Sequence, residues 1–155
     1  MTVLVVDDDP ASRIVVSRIL EREGFATVRA EDGVDALEQV RLFSRGEAVS
    51  EDGSAMPPLC AMVVDSHMPR MAGPELLRAM RSDLSIAHVP ALGMSGDVSD
   101  SAPGGPFEQA GAAAVLCKPA DRAAIFAGII RCLEAGDRAV PESLRRRAQR
   151  HSDDS

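Results

Sequence analysis

The 155-residue sequence contains no tryptophan and no tyrosine, and four phenylalanines are its only aromatic residues. A surface that stacks nucleic-acid bases on aromatic rings is therefore not expected. Basic residues are also in deficit, with 17 Lys and Arg against 24 Asp and Glu and a net charge of −7. This balance argues against non-specific binding to nucleic acid. No apolar run approaches the roughly 18 residues that a membrane span needs, so we expect no membrane partner.

Cysteine is scarce as well. Cys60, Cys117 and Cys132 show no CxxC spacing and no nearby histidine pair, which argues against a cysteine metal site or a redox centre. We expect Cys60 and Cys117, which lie in apolar strand patterns, to act as small core residues. The chain enters its first strand pattern at once, without a signal-peptide pattern, and this predicts a cytoplasmic protein.

The sequence does contain a regular alternation of apolar runs and helical patterns. Five runs predict strands, over residues 3–6, 26–29, 59–64, 89–94 and 113–117. A helical pattern follows each of these runs. The fourth helical pattern is weak, because only residues 107–111 favour a helix. This alternation predicts an α/β fold, a doubly wound parallel sheet with helices on both faces. The order 2-1-3-4-5 is a common one of the few topologies allowed.

The domain is predicted to span residues 1–136. From residue 137 the composition becomes polar, and we expect 137–155 to be a solvated, flexible tail. Residues 44–58 lack periodicity and predict an exposed loop. Asp9 before Pro10 predicts the N-cap of the first helix.

Polar residues stand where the predicted strands end. Asp7 and Asp8 follow the first strand, Asp65 the third, Ser95 the fourth and Lys118 the fifth. In the 2-1-3-4-5 order the first and third strands are neighbours, so the three carboxylates should share one cleft. The carboxyl edge of such a sheet is where ligands bind.

Three carboxylates in one cleft repel one another, and a bound cation would relieve them. A ligand set of oxygens alone favours a hard ion such as Mg²⁺. A carboxylate beside Mg²⁺ can attack a phosphoryl group to give an acyl phosphate, and Asp65 is our candidate. Lys118 would offset charge on the phosphoryl oxygens, and Ser95 could donate a hydrogen bond to one of them.

Four motifs carry a resemblance to a known family. They are VLVVDDDP at 3–10, VVDSHMPRMAG at 63–73, MSG at 94–96 and CKP at 117–119. In this order they resemble the receiver domain of two-component response regulators, which has a flavodoxin-like fold, and the resemblance covers residues 2 to about 135. It implies a signalling phosphoacceptor domain rather than an enzyme, which takes its phosphoryl group from phosphohistidine on a histidine kinase or a histidine phosphotransfer protein.

The resemblance also implies a role for each motif residue. It makes Asp65 the phosphoacceptor, with Ser95 as the switch hydroxyl and Lys118 as the lysine that pairs with the phosphate. It implies a Mg²⁺ site formed by Asp7, Asp8, Asp65 and the backbone carbonyl of His67. A cis bond between Lys118 and Pro119 is a further family feature.

Three features depart from the family pattern. Val115 stands where relatives have Tyr or Phe, the run Pro-Gly-Gly-Pro at 103–106 shortens the fourth helix, and the loop at 44–58 is long. Such loops occur in receivers attached to hybrid histidine kinases, so both a stand-alone regulator and part of a hybrid kinase stay open. A phosphorylation-linked dimer is open as well.

Three alternatives come from other functional classes. A degenerate receiver would act as a phosphorylation-independent interaction domain, but all five polar groups are present. A phosphatase of the dehalogenase type would need an acid two residues after its nucleophile, where His67 stands. An FMN module would need a phosphate loop after the first strand, where three aspartates would repel the phosphate.

Overall fold

The five apolar runs form the strands of one parallel sheet in the computed structural model, which describes residues 1–136 and 139–153. The central strands are buried on both faces, which explains their continuous apolar composition. The strands are β1 Thr2–Val6, β2 Ala26–Ala30, β3 Leu59–Asp65, β4 Ala91–Ser95 and β5 Ala114–Cys117.

The strand order is β2-β1-β3-β4-β5, which confirms the predicted topology. All neighbouring strands pair in parallel. The register places Val6 beside Val64 and Ser95 beside Cys117. The residues that end β1, β3, β4 and β5 therefore meet at one edge of the sheet.

Helices cover both faces of this sheet, and most begin at an aspartate. The Asp9 side chain accepts a hydrogen bond from the Ala11 N–H at the start of the first helix, so the predicted N-cap is confirmed. Asp32 and Asp121 cap two later helices in the same way. The helices are α1 Pro10–Arg22, α2 Gly33–Ser44, α3 Gly73–Arg81, α4 Val98–Ser101, α5 Pro106–Gln109, α6 Arg122–Ala135 and α7 Glu142–Asp153.

Two apolar clusters fill the space between the sheet and its helices. One lies under α1, α6 and α7, where Leu20 and Phe126 are fully buried. The other lies under α2, α3 and α5, where Leu76 and Met80 are fully buried. Helices on both faces leave the carboxyl edge of the sheet as the open side of the domain.

The segment after β4 is more regular than its sequence suggests. We predict helix only near 107–111, and the structure has two four-residue helices, α4 and α5, on either side of Gly104. Gly104 takes a left-handed φ of 77°, which favours glycine. The ring of Phe107 anchors α5, because it lies so close to Gly93 that a Cβ there would be 2.7 Å from the ring.

The loop before β3 is irregular and mostly exposed, as predicted. A single antiparallel bridge joins Val49 and Ala55. Between them the Asp52 carboxylate accepts hydrogen bonds from Ser50 and Ser54, which lower its pKa to about 2. The loop is thus organised by its own side chains.

The prediction of a flexible tail is wrong for most of the tail, because residues 142–153 form α7. This helix packs on α6 through Leu144, which is buried, and Arg147 donates a hydrogen bond of 2.8 Å to the Glu23 carbonyl. Residues 137, 138, 154 and 155 lie outside the described part of the chain. The domain boundary at residue 136 stays a prediction.

The cysteines differ from expectation at one position. Cys60 is buried as predicted, but Cys117 is exposed at the end of β5. Cys132 lies on the buried face of α6, and burial, with Cys60 nearby, raises the pKa of its thiol to about 12. Of the helices that the structure describes, none is both long and apolar enough to cross a membrane.

The packing of α7 predicts the outcome of a truncation in its apolar face. Leu144→Ala should lower the free energy of unfolding by about 2–3 kcal/mol, because a buried leucine is removed. Leu84 is 93% exposed, so Leu84→Ala should change it by no more than about 0.5 kcal/mol. Urea denaturation of both variants measures the difference. Equal values would show that α7 does not pack on the domain in solution.

Candidate functional site

The three predicted carboxylates meet at the edge of the sheet. Asp65 is the last residue of β3, and Asp7 follows the last residue of β1. One carboxylate oxygen from each of Asp7, Asp8 and Asp65 lies within 4.8 Å of the others. Asp7 and Asp65 are buried, while Asp8 is exposed. The topology thus produces a compact acidic cluster that is open to solvent on one side.

Lys118 reaches this cluster from the end of β5. Its Nζ lies 2.7 Å from Asp65 Oδ1 and 3.2 Å from Asp7 Oδ2. Desolvation opposes the charge of the lysine, but its hydrogen bond to Asp65 and the charges of both carboxylates raise its pKa. Lys118 is therefore a fixed cation between two anions.

One cation does not fully compensate the cluster. Burial raises the pKa of the Asp7 carboxyl, and the charge of Asp65 raises it further, against the opposing effects of the Asp9 N–H and of Lys118. Burial and the charge of Asp65 thus disfavour the ionised form of Asp7, and a further cation nearby would stabilise that form. The donors here are oxygens, which suit a hard divalent ion, so the residues fit the predicted metal site.

The Ser95 hydroxyl is fully buried within a hydrogen-bond network beside this cluster. It donates to Asp100 Oδ2 over 2.7 Å and accepts from Ser66 Oγ over 3.1 Å and from the Asp97 N–H over 3.0 Å. The serine proton is thus committed to Asp100, a residue of α4. Sequence reasoning misses Asp100, because no periodic pattern marks a four-residue helix.

His67 lies at the mouth of the site with an exposed side chain. Its Nε2 is 3.5 Å from Asp100 Oδ2, so this imidazole and Ser95 face the same carboxylate. The use of the His67 carbonyl as a metal ligand stays a prediction. The Lys118–Pro119 bond is cis, as the family resemblance implies.

An ion pair between the buried Asp32 and the partly exposed Arg70 positions the loop that carries His67. Arg70 has a left-handed φ of 67°, and its Nε donates to Asp32 Oδ2 over 2.9 Å. The Asp35 N–H, and then Arg70, lower the pKa of the Asp32 carboxyl. The loop ends at Gly73, where a Cβ would lie 2.3 Å from the Asp65 carbonyl oxygen. Only glycine fits this approach to the strand end.

A cavity of about 460 Å³ opens beside the cluster, between α1 and the β5–α6 connection. Asp7 and Lys118 form its polar end, and Val15, Pro119 and Ile125 contribute apolar surface. The Val15 residue is 58% exposed. An apolar surface of α1 therefore borders the site.

The family model for the response regulator receiver domain matches residues 3–130, which is most of the chain. The chain belongs to the response regulator receiver domain family. The predicted family is thereby confirmed, and the parallel sheet in the order 2-1-3-4-5 is the one expected for a receiver domain.

Several known proteins resemble this receiver domain. The sensory/regulatory protein RpfC of Xanthomonas campestris pv. campestris is 35% identical over 121 residues, which are 77% of this chain and 15% of RpfC. The chemotaxis protein CheY4 of Vibrio cholerae has a TM-score of 0.69 and 25% identity, covering 85% of this chain and 98% of CheY4.

A third likeness concerns the fold alone. The signal receiver domain of a histidine kinase from Syntrophus aciditrophicus has a TM-score of 0.69 and 21% identity, covering 90% of this chain and 94% of that domain. The receiver domain described here thus spans only a small part of RpfC but nearly all of CheY4 and of the Syntrophus domain.

The lowered pKa of Asp32 predicts how stability depends on pH. A carboxyl whose pKa is lower in the folded chain contributes stability above its ordinary value of 3.8, and loses it as the pH falls through the folded pKa. Asp32→Asn should therefore lower the free energy of unfolding by about 1 kcal/mol at neutral pH. The loss is no larger because solvent screens the partly exposed Arg70 side chain. The cost should shrink below pH 3.8.

Urea denaturation at several pH values measures this difference. Leu84→Ala is the control, because it changes an exposed residue that does not titrate, and its difference from the wild type should not change with pH. A cost of Asp32→Asn that is constant down to acid pH would contradict the ion pair as the cause.

Proposed function

We propose that this receiver domain accepts a phosphoryl group on Asp65 from phosphohistidine of a histidine kinase or a histidine phosphotransfer protein. The observation that carries the proposal is the position of Asp65. Its carboxylate ends a buried strand, bonds to Lys118 over 2.7 Å and lies within 4.8 Å of two further carboxylates. Membership of the receiver family supports the same role.

The proposed metal is Mg²⁺, held by Asp7, Asp8, Asp65 and the His67 carbonyl. The uncompensated charge at Asp7 and the oxygen donors support this choice. When bound, such an ion stabilises negative charge on the oxygens of a transferring phosphoryl group. The exposed Asp8 lies on the open side of the cluster, where the ion would enter.

The chemistry that we propose for Asp65 is a direct displacement. A carboxylate oxygen of Asp65 attacks phosphorus, the new O–P bond forms as the P–N bond of phosphohistidine breaks, and the imidazole nitrogen leaves with the bonding electron pair. Lys118, whose Nζ lies 2.7 Å from Asp65 Oδ1, would donate to an oxygen of the phosphoryl group once Asp65 carries it. The apolar surface at Val15 offers the donor protein a contact beside the site.

The switch that we propose begins at Ser95. Its proton bonds to Asp100 in this structure, and the same proton would bond to a phosphoryl oxygen on Asp65. Asp100 and the phosphoryl group are therefore competing acceptors. Release of Asp100 would free α4, whose N-cap Asp97 also donates its backbone N–H to Ser95.

The wider context is also part of the proposal. The match to one segment of RpfC favours a receiver that works within a longer sensory protein, although a stand-alone regulator fits the same site. We propose a cytoplasmic location, because the phosphodonor kinases act there. The phosphorylation-independent interaction domain is the second candidate, and the first experiment below separates the two.

Labelling with acetyl phosphate and Mg²⁺ tests Asp65. The intact mass of the wild-type chain should increase by one phosphoryl group, and Asp65→Asn should prevent the increase while leaving the thermal unfolding cooperative. Asp9→Asn is the control, since Asp9 caps α1 and should allow labelling. A wild-type chain that stays unlabelled beside a labelled control receiver would favour the interaction domain.

A double-mutant cycle tests the competition for the Ser95 proton. Asp100→Ala should raise the labelled fraction at limiting acetyl phosphate about 2–10-fold, the worth of one hydrogen bond. In a Ser95→Ala background the same change should have little effect, because no hydroxyl remains to be shared. An equal gain in both backgrounds would mean that Asp100 acts through its charge and not through Ser95.

A further inference from the structure

A second concentration of charge lies where α1, α6 and α7 meet, apart from the residues of the Asp65 site. A cavity of about 300 Å³ opens there. Its walls are mostly basic. They come from α6, from α7, and from the last residue of α1 with the glutamate that follows it. They are formed by Arg22, Glu23, Arg122, Arg147, Arg150 and His151.

Glu23 lies at the centre of this pocket and is almost fully buried, with a side chain that is 3% exposed. Its Oε1 lies 3.2 Å from Arg122 Nη2 and 3.0 Å from His151 Nε2. Arg147 Nη1 lies 3.7 Å from Oε2 and also donates to the Glu23 carbonyl. One carboxylate thus holds α7 against α1 and α6.

This carboxylate neutralises only part of the charge around it. Four arginines face one glutamate, which leaves an excess of three positive charges before His151 is counted. Within residues 1–136 and 139–153, Arg22 and Arg150 form no ion pair. This local excess of positive charge stands in a chain whose net charge is −7. Acidic residues outnumber basic ones in the sequence, yet they do not fully neutralise the arginines of this pocket.

Guanidinium groups that converge from separate helices match the oxygens of a phosphate, since each can donate two parallel hydrogen bonds. The exposed fractions of Arg122 and Arg147 are 50% and 40%, so both retain donors that face solvent beside Glu23. A concave site of this volume suits a small ligand. A polynucleotide would meet the overall negative charge of the chain.

We propose that the pocket between α1, α6 and α7 binds a small ligand that carries phosphate groups. Arg22 and Arg150 supply the charge that the phosphate neutralises, and Arg122 and Arg147 supply further donors. Such a ligand would connect α1 to α7 and so stabilise the packed position of α7. The site is independent of phosphoryl transfer at Asp65.

Pyrophosphate is the probe for this proposal. It is titrated calorimetrically into the full chain at constant ionic strength, with EDTA and without Mg²⁺, so that the acidic cluster repels it. The wild type should bind saturably. Arg22→Gln and Arg150→Gln should each raise the dissociation constant about tenfold, the worth of a charged hydrogen bond.

Arg145→Gln is the matched control, because this exposed arginine lies on the same helix α7 but outside the pocket. It should leave the dissociation constant within about twofold, and Asp65→Asn should leave it unchanged. Circular dichroism should show the same helix content in every variant. The Asp65→Asn variant thus tests pyrophosphate binding in a chain that cannot carry out the function proposed for Asp65.

Three results would overturn the proposal. The first is a wild-type chain without saturable binding, and the second is an Arg145→Gln variant that loses as much affinity as Arg150→Gln. The third is a single-stranded oligonucleotide that binds more tightly than pyrophosphate and depends on Arg22 and Arg150, which would make the pocket part of a nucleic-acid surface.

Discussion

The contact of Lys118 with Asp65 and Asp7 is the interaction on which the site depends. The sheet order brings the ends of β1 and β3 together, and with them carboxylates that repel one another. The lysine, delivered by β5 from across the sheet, offsets part of that repulsion over 2.7 and 3.2 Å. Burial still raises the pKa of Asp7, so a further positive charge would stabilise the cluster. This residual charge links the fold to the proposed chemistry.

The sequence was sufficient to predict the sheet and the residues along its edge. Continuous apolar runs mark strands that are buried on both faces, and a polar residue at the end of such a run must lie at the edge. Asp65, Ser95 and Lys118 could therefore be placed without any side-chain contact in hand. Their roles in phosphoryl transfer rest on the family resemblance and on the proposal made for them.

The missed features share a physical cause, which is that tertiary contacts outweigh local pattern. The helix α7 is polar along most of its length, and what orders it is Leu144 in the core and the pairing of Arg147 with Glu23, far away in sequence. Asp100 lies in a helix too short to have a period. Cys117 belongs to an apolar run but is the exposed last residue of an edge strand.

The departures at Val115 and in the fourth helical segment bear on how a signal could leave the site. Phe107 fills the core against Gly93, which pairs with Val115 across the sheet. The aromatic ring of this region thus comes from α5 instead of β5. The hydrogen bond from Ser95 to Asp100 gives α4 a direct connection to the site, so output through α4 needs no aromatic residue at position 115.

The central claim is that the acidic cluster at the sheet edge is a site for Mg²⁺. Thermal unfolding with and without Mg²⁺, in the wild type and in Asp8→Asn, tests this claim most directly, because Asp8 is exposed and its loss should leave the core intact. At ten times its dissociation constant, Mg²⁺ should raise the wild-type Tm by about 3–6 °C. The same concentration should raise the Tm of Asp8→Asn much less. An unchanged wild-type Tm, or an equal rise in both proteins, would contradict the account.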